Sequence, residues 1–309
     1  MRLIGDIGGT NVRFAFVDDK GKISETKKFL KSDFENITKA VITYKSMISK
    51  NITEAVIAVN TPVIDNKPHA GSNDWGYKTA TLERDTGIAK IVFINDLLAH
   101  ASAIPHLTDD HIEKIYGGKK DKEGSVVIIG PGTGLGISYG CYNKDTTKMD
   151  YFPSEGGAEL AAAADLKQQE IIKKMLKYQP YVRWEELTSG KGISNLYEAL
   201  YDDKKTTEEI MSDFGKGSEK SREVFGIFCE FLGILARNFA ATFLSTGGIY
   251  IIGGILNREE NLEFFKKSRF IDYYSFTFSN NKSVFIKDYP IYVITHDNSA
   301  LVGAANFEI

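Results

Sequence analysis

The stretch Gly5-Asp6-Ile7-Gly8-Gly9-Thr10-Asn11-Val12-Arg13 decides the architecture of this chain. It joins two apolar-rich runs, Arg2–Ile7 and Val12–Val17, through a glycine-rich turn, and this pattern predicts a β-hairpin. Backbone N–H groups can crowd toward an anion only where glycine removes the side-chain clash, so the turn is a candidate phosphate site. Asp6 would repel a phosphate unless Mg²⁺ bridged the two groups, and we therefore interpret it as a metal-side residue.

A second hairpin of the same kind is predicted around Gly130-Pro131-Gly132-Thr133-Gly134-Leu135-Gly136. This turn differs from a dinucleotide-binding fingerprint, because Leu135 takes the place of the third glycine and a strand follows instead of a helix. The chain has no Gly-x-x-x-x-Gly-Lys-Ser/Thr, so it is not a P-loop enzyme. One such turn can simply close a hairpin. Two of them, with Gly253-Gly254 after a third strand, favour phosphate binding.

Several carboxylates accompany these turns. Asn95-Asp96 follows the buried run Ile91–Ile94, at the strand end that faces the ligand crevice in α/β proteins. A carboxylate there can accept the hydroxyl proton in phosphoryl transfer, although an Asn-Asp pair after a strand is by itself more often a helix cap. Glu155 and Glu185 lie near further glycines, and sugars are bound by carboxylates and amides because each hydroxyl both donates and accepts. Without other context these two would be surface acids.

Strands and helices alternate along the chain, which predicts an α/β architecture with largely enclosed sheets. Ser32 with Glu35 is a capping-box pattern, and it predicts the start of a helix with apolar residues at Ile37, Val41 and Tyr44. No Pro- or Ser-rich linker separates two halves, so the domain boundary is placed by motif.

Bulk composition restricts the function. The chain has 309 residues, about two domains by length. Its net charge of -3 leaves no basic excess to bind nucleic acid, and its 2 cysteines predict neither a disulfide framework nor a zinc site. The first strand is predicted to start close to Met1, so we expect no leader peptide. No apolar run approaches the ~18 residues of a membrane span, so we expect no membrane association and a cytoplasmic location.

Taken together, the motifs resemble those of the bacterial-type glucokinase family, within the actin/Hsp70/hexokinase superfamily. The resemblance spans essentially the whole chain. Besides the two glycine hairpins, the motifs that carry it, in the order of the family, are Ile94-Asn95-Asp96, Pro153-Ser154-Glu155-Gly156-Gly157, Ser189-Gly190-Lys191-Gly192, Gly253-Gly254-Ile255 and His296-Asp297-Asn298.

The resemblance implies two RNase-H-like (actin-like ATPase) α/β domains with an active-site cleft between them. By motif, residues 1–105 plus 296–309 form the small domain and residues 106–295 the large one. The implied reaction converts ATP and D-glucose into ADP and glucose 6-phosphate. ATP with Mg²⁺ is then the cofactor, a sugar and a nucleotide are the small-molecule partners, and a homodimer is the usual assembly.

The resemblance also assigns roles to residues. Asp96 is the implied general base, and Mg²⁺ would lie near Asp6, through water. The implied ATP and phosphate contacts are Gly5, Asp6, Gly8, Gly9, Thr10, Asn11, Gly132 and Thr133, with Gly253 and Gly254 beside the adenosine. The implied sugar contacts are Asn95, Asp96, Glu155, Glu185 and Asn73.

Two departures from the family pattern lie on the sugar side. The family has Glu-Gly-Gly-His, and Ala158 stands here where its histidine contacts the sugar. The usual sugar-binding asparagine falls on Ser72, and Asn73 replaces it if the loop shifts by one residue. The alternatives are therefore a kinase for another hexose, or a sugar-binding sensor that is catalytically weak or inactive. Repressors of this class are disfavoured because no helix-turn-helix precedes the first strand, and acyl-phosphate kinases because they lack the Glu-Gly-Gly element.

Overall fold

The structure, a computed structural model, describes residues 1–48, 50–69, 75, 79–276 and 283–309. The strands are β1 (Arg2–Ile7), β2 (Asn11–Val17), β3 (Ile23–Leu30), β4 (Glu54–Val59), β5 (Val63–Ile64), β6 (Lys67–Pro68), β7 (Lys90–Asn95), β8 (Ile112–Tyr116), β9 (Val126–Pro131), β10 (Leu135–Asn143), β11 (Lys148–Ser154), β12 (Gly248–Ile251) and β13 (Ile291–Ile294). The helices are α1 (Ile37–Met47), α2 (Thr79–Thr86), α3 (Asp96–Ala103), α4 (Leu166–Met175), α5 (Gly190–Tyr201), α6 (Thr207–Gly215), α7 (Glu219–Phe243), α8 (Glu259–Lys267), α9 (Phe270–Ser275) and α10 (Ser299–Asn306).

The first compact unit comprises Met1–Thr108 and His296–Ile309. Its sheet has the order β3-β2-β1-β4-β7, in which β1, β4 and β7 are parallel and the first three strands form an antiparallel meander. Helices α1 and α2 cover one face of the sheet, while α3 and α10 pack on the other. Both faces are therefore enclosed, as the β-branched strand residues predict.

The second unit comprises Asp109–Thr295. Its sheet has the order β11-β10-β9-β12-β13-β8, with β9, β12 and β13 parallel. As in the first sheet, three consecutive strands, here β9, β10 and β11, form an antiparallel meander, and the first turn of the meander is rich in glycine. Strand β8 lies at the opposite edge, antiparallel to β13. The aromatic residues of α7 lie in the core of this unit, where Phe225, Phe228 and Phe231 are fully buried. The predicted α/β architecture is confirmed in both units.

Two local predictions are wrong. Helix α1 is capped by Asn36, whose side chain accepts a hydrogen bond of 3.0 Å from the Lys39 backbone, whereas Ser32 lies in a short 3-10 turn. Asn36 is itself a strong N-cap residue immediately before the first buried position, so it outcompetes the earlier pattern. The expectation that no apolar run approaches ~18 residues fails for α7 on length and composition alone, because an 18-residue window of this helix has a mean hydropathy of 1.5. However, 83% of that window is buried inside the protein, as in a core helix.

Candidate active site

Three parallel strands of the first unit end in one row. The register pairs Ile7 of β1 with Val59 of β4, and Val59 with Asn95 of β7. The residues that follow, Gly8, Asn60 and Asp96, therefore leave the sheet side by side at its carboxyl edge. In α/β sheets this edge is where ligands bind.

The hairpin turn after β1 is tight and accessible. The backbone N–H of Gly8 donates to the Asn11 carbonyl at 2.9 Å, and Gly9 and Thr10 are exposed. The Thr10 carbonyl accepts from the Lys31 backbone at 2.8 Å, which anchors the turn to the end of β3. Exposed amides in a fixed turn suit a bound anion.

Gly5 has a structural reason to be glycine. It is buried within β1, opposite Phe14 of β2, and a β-carbon at Gly5 would lie 3.0 Å from the Phe14 ring. Its predicted contact with phosphate stays a prediction, and packing alone explains the residue.

Asp6 is held by an ion pair. Its carboxylate accepts a hydrogen bond of 2.9 Å from the Arg13 guanidinium on the neighbouring strand, and only 13% of its side chain is exposed. Among the described residues, no three His, Cys, Asp or Glu side chains are grouped so that they could hold a metal ion. Mg²⁺ that arrives with ATP needs only one or two carboxylates besides the phosphates and water, so Asp6 alone is compatible with that donor set.

Asn95 and Asp96 form the junction between β7 and α3. The Asn95 side-chain oxygen caps the helix by accepting from the backbones of Leu97 at 2.9 Å and Leu98 at 3.3 Å. The Asp96 Oδ1 also accepts from the Leu97 backbone at 2.8 Å, and the residue remains partly exposed. A carboxylate in the first turn interacts favourably with the positive end of the helix dipole. Asn95 thus acts as a helix cap, and its Nδ2 group faces the Thr61 carbonyl at 3.5 Å.

Asn73, the remaining sugar-side residue predicted in this unit, and Ser72 lie outside the described residues.

In the second unit, the glycine turn after β9 is hydrogen-bonded to the start of α5. The Gly132 carbonyl accepts a hydrogen bond of 2.7 Å from the Gly190 backbone, and the Gly132 N–H donates to the Gly134 carbonyl at 2.9 Å. Ser189 caps α5 by accepting from the Gly192 backbone at 3.1 Å. Gly132 and Thr133 themselves are exposed.

The carboxylate of Glu185 lies near this turn, and the segment that follows Glu155 packs against the start of β10. A β-carbon on Gly134 would be 3.7 Å from the Glu185 Oε2, and one on Gly157 would overlap the Leu135 carbonyl. Partial burial raises the pKa of Glu155, and the negative charge of Glu185 raises it further. The two carboxylates are therefore close enough to interact, as a pair that binds one polar ligand must be.

Glu185 has a partner that the sequence did not reveal. The Nη2 of Arg183 lies 2.7 Å from the Glu185 Oε1 and 3.0 Å from the Oε1 of the buried Glu186. Arg183 therefore fixes the orientation of the Glu185 carboxylate. The backbone of Trp184 donates to the Glu159 carbonyl at 3.0 Å, which ties the segment of Ala158 to that of Glu185.

Gly253 and Gly254 follow β12 at the same edge of the sheet as the second glycine turn. Gly253 is packed so closely against the Pro131 carbonyl that a β-carbon would overlap it. A β-carbon on Gly254 would meet no described heavy atom within 4 Å, so there is space beside this residue. Such space is compatible with the predicted position beside the adenosine.

Comparison with known proteins gives one consistent result. The sequence profile of the glucokinase family matches residues 3–308. A glucokinase from Nitrobacter hamburgensis is 31% identical over 100% of this chain and 97% of its own length. The structure of a glucokinase from an Antarctic psychrotroph has a TM-score of 0.83 and 27% identity, covering 99% of this chain and 97% of that one. A glucokinase from Streptomyces griseus, solved with glucose and AMPPNP, has a TM-score of 0.65 and 17% identity over 99% of this chain and 98% of that one, and it shows a likeness of fold.

Proposed function

Because this chain belongs to the glucokinase family, we propose that its Asp96 is the general base of an ATP-dependent transfer of phosphate to a hexose, with D-glucose as the preferred acceptor. The family assignment makes the chain a hexose kinase that uses ATP as its phosphoryl donor. Beyond the family assignment, we propose the roles of individual residues.

One observation carries this proposal. The first glycine turn and Asp96 follow parallel strands that end in the same row of one sheet, with the end of β4 between them. Adjacent strands are ~4.8 Å apart, so the turn and the base are separated by about 10 Å. This is enough room for a phosphoryl group beside the turn and an attacking hydroxyl beside the base.

The proposed chemistry is a direct transfer. Asp96 accepts the proton of the sugar 6-hydroxyl as its oxygen forms a bond to the γ-phosphorus, and the bond from that phosphorus to the bridging oxygen of ADP breaks. The amides of Gly9 and Thr133 are proposed to hold the phosphates. The N–H groups of Gly8 and Gly132 donate within their own turns, and these two residues are proposed to keep the turns in shape beside the phosphates. The protein mainly positions the reactants and provides fixed donors for the negative charge.

The sugar-binding roles follow from the carboxylate pair. Glu155 and Glu185 are proposed to accept hydrogen bonds from sugar hydroxyls, with Arg183 holding Glu185 in place. Asn73 stays a proposed sugar contact. For Asn95 we propose that the Nδ2 group contacts the sugar, because its oxygen already caps α3.

Mg²⁺ bound with ATP would supply positive charge that offsets the charge of the phosphates. We propose that Asp6 would hold it through water, while Arg13 fixes the carboxylate. We further propose two functional domains, residues 1–105 with 296–309 and residues 106–295, whereas the compact units divide the chain between Thr108 and Asp109. We also propose that the protein acts in the cytoplasm as a homodimer.

A coupled assay of ADP release tests the proposal. Purified protein is supplied with ATP, Mg²⁺ and, in separate reactions, glucose, mannose, fructose, N-acetylglucosamine or glycerol. We expect hexose-dependent ADP release with the highest kcat/KM for glucose. Binding of glucose without ADP release would instead support the sensor, and a higher kcat/KM for another sugar would contradict the glucose assignment.

Ala158 is the observation that favours a second candidate, a kinase for another hexose. Losing one hydrogen bond of the family histidine costs ~1–3 kcal/mol, or about 5- to 150-fold in binding. The variant Ala158→His therefore belongs in the same assay. If Ala158 has only weakened glucose binding, the variant lowers KM for glucose and leaves the order of the sugars unchanged. If Ala158 sets the identity of the sugar, the order changes.

A further inference from the structure

Asn60 occupies a position in the first unit that no motif identifies. It is the first residue after β4, the strand that lies between β1 and β7. The register places it between Gly8, which opens the phosphate turn, and the proposed base Asp96. The end of β4 therefore lies between that turn and that base.

The Asn60 side chain is directed at the turn. Its Nδ2 lies 3.8 Å from the point at which a β-carbon on Gly9 would sit. The residue is exposed, and within the described part of the chain its side chain makes no hydrogen bond. By contrast, the neighbouring side chains are engaged, since Thr61 donates to the His69 carbonyl at 2.5 Å and Asn95 caps α3.

We propose that Asn60 is a further catalytic residue, whose Nδ2 donates a hydrogen bond to the phosphoryl group during its transfer. This inference rests on the proposed function, in which the first turn holds phosphate and Asp96 is the base. The amide is neutral, so it does not repel the phosphate as a carboxylate would. It also cannot take the proton from Asp96.

The location gives this donor a specific task. The Gly8-Gly9 turn approaches the phosphate from one side, and Asp96 approaches the attacking hydroxyl from the other. Asn60 lies about 5 Å from each strand end by the normal strand spacing, so its amide can follow the phosphoryl oxygens as they move. A fixed donor at the point where charge develops typically contributes about 10²–10³-fold to kcat.

The test compares substitutions of Asn60, which follows β4, with a substitution of Asn51, which precedes it. Asn60→Asp and Asn60→Ala remove the donor, and Asn51→Asp makes the same charge change at an exposed asparagine just before β4. Asp96→Asn is measured in parallel. The readouts are kcat and KM in hexose-dependent ADP release, the Kd for ADP by calorimetry, and the melting temperature of each variant.

We expect both Asn60 variants to lose about 100-fold in kcat, with KM for glucose within about threefold of wild type. Asn60→Ala should keep the wild-type Kd for ADP, because ADP lacks the transferred group. Asn51→Asp should behave as wild type. A kcat of the Asn60 variants equal to that of Asn51→Asp would overturn the inference. So would a defect confined to KM or to ADP affinity, or a failure of both Asn60 variants to fold.

The variant Asp96→Asn distinguishes a failure of the role of Asn60 from a failure of the proposed function. If Asp96→Asn is inactive while the Asn60 variants are normal, only the role of Asn60 is refuted. If Asp96→Asn turns over normally, the proposed function itself is contradicted.

Discussion

The Nδ1 of His100 lies 2.9 Å from the Oγ of Ser299, which joins α3 to α10 in the first unit. Asp96 opens the same helix one turn earlier, so this contact supports the element that carries the proposed base. Burial lowers the pKa of His100 below its ordinary value of 6.5, while the charge of Asp6 opposes the shift and that of Arg13 adds to it.

This pKa predicts how stability depends on pH. Below about pH 6.5 the unfolded chain binds a proton at His100 that the folded protein resists, so the free energy of unfolding falls as pH decreases. A single proton changes the free energy of unfolding by at most ~1.4 kcal/mol per pH unit. His100→Gln should remove this component in denaturant titrations between pH 5 and 8. His69→Gln, at an exposed position, is the control. An unchanged pH dependence in His100→Gln would contradict the assignment.

The packing of α3 on α10 gives a second prediction. A β-carbon on Gly303 would overlap the Ala99 carbonyl, so the two helices cannot approach this closely with any larger residue. Gly303→Ala should lower the free energy of unfolding by about 1–3 kcal/mol or more. In the control Gly226→Ala, the new β-carbon meets its nearest atom at 4.0 Å, and a gain of up to ~1 kcal/mol is expected from helix propensity. Equal melting temperatures for the two variants would refute the packing argument.

The sequence predicted those parts of the fold that have strong local signals. Strands β1 and β9 are buried apolar runs next to glycine residues, and their pattern survives in the structure. Strands β3 and β11 were not predicted, because both lie at sheet edges and most of their residues are exposed or half-buried. Only pairing with the neighbouring strand makes such segments extended, and that partner is not visible locally.

The residues of the candidate site also fall into those that the sequence predicted and those that it did not. The glycine turns and the carboxylates were recognised because they form motifs of adjacent residues. Arg183 and Asn60 carry no such signal. The importance of Arg183 depends on the rotamer that brings it to Glu185, and that of Asn60 depends on β4 lying between β1 and β7. Both are facts of tertiary arrangement, which a single sequence does not display.

Arg183 provides a prediction about sugar binding. Arg183→Gln removes the 2.7 Å contact with Glu185 and lets that carboxylate rotate. We expect KM for glucose to rise about 10-fold, the equivalent of ~1.4 kcal/mol, with a smaller effect on kcat. Arg84→Gln, which removes an exposed ion pair with Asp85, is the matched control and should leave KM unchanged. A kcat loss without a change in KM would show that Arg183 does not act through the sugar.

Glu155 provides a prediction about protonation. Its raised pKa means that it takes up a proton at a higher pH than an ordinary glutamate, and its ability to accept from sugar hydroxyls is lost as pH falls through that pKa. The Kd for glucose should therefore increase toward low pH. In a carbon-13 NMR titration assigned with Glu155→Gln, the variant Glu185→Gln should lower the pKa of Glu155, because a neighbouring negative charge is removed. An unchanged titration would mean that the two carboxylates do not interact.

Turnover of Asp96→Asn tests the central claim most directly. The substitution keeps the size of the side chain but removes its capacity to accept the hydroxyl proton. We predict that hexose-dependent ADP release falls at least ~100-fold while the melting temperature and glucose affinity are retained. Asp19→Asn, in the exposed turn after β2, should be as active as wild type. Turnover of Asp96→Asn close to that of the wild-type protein would contradict the account.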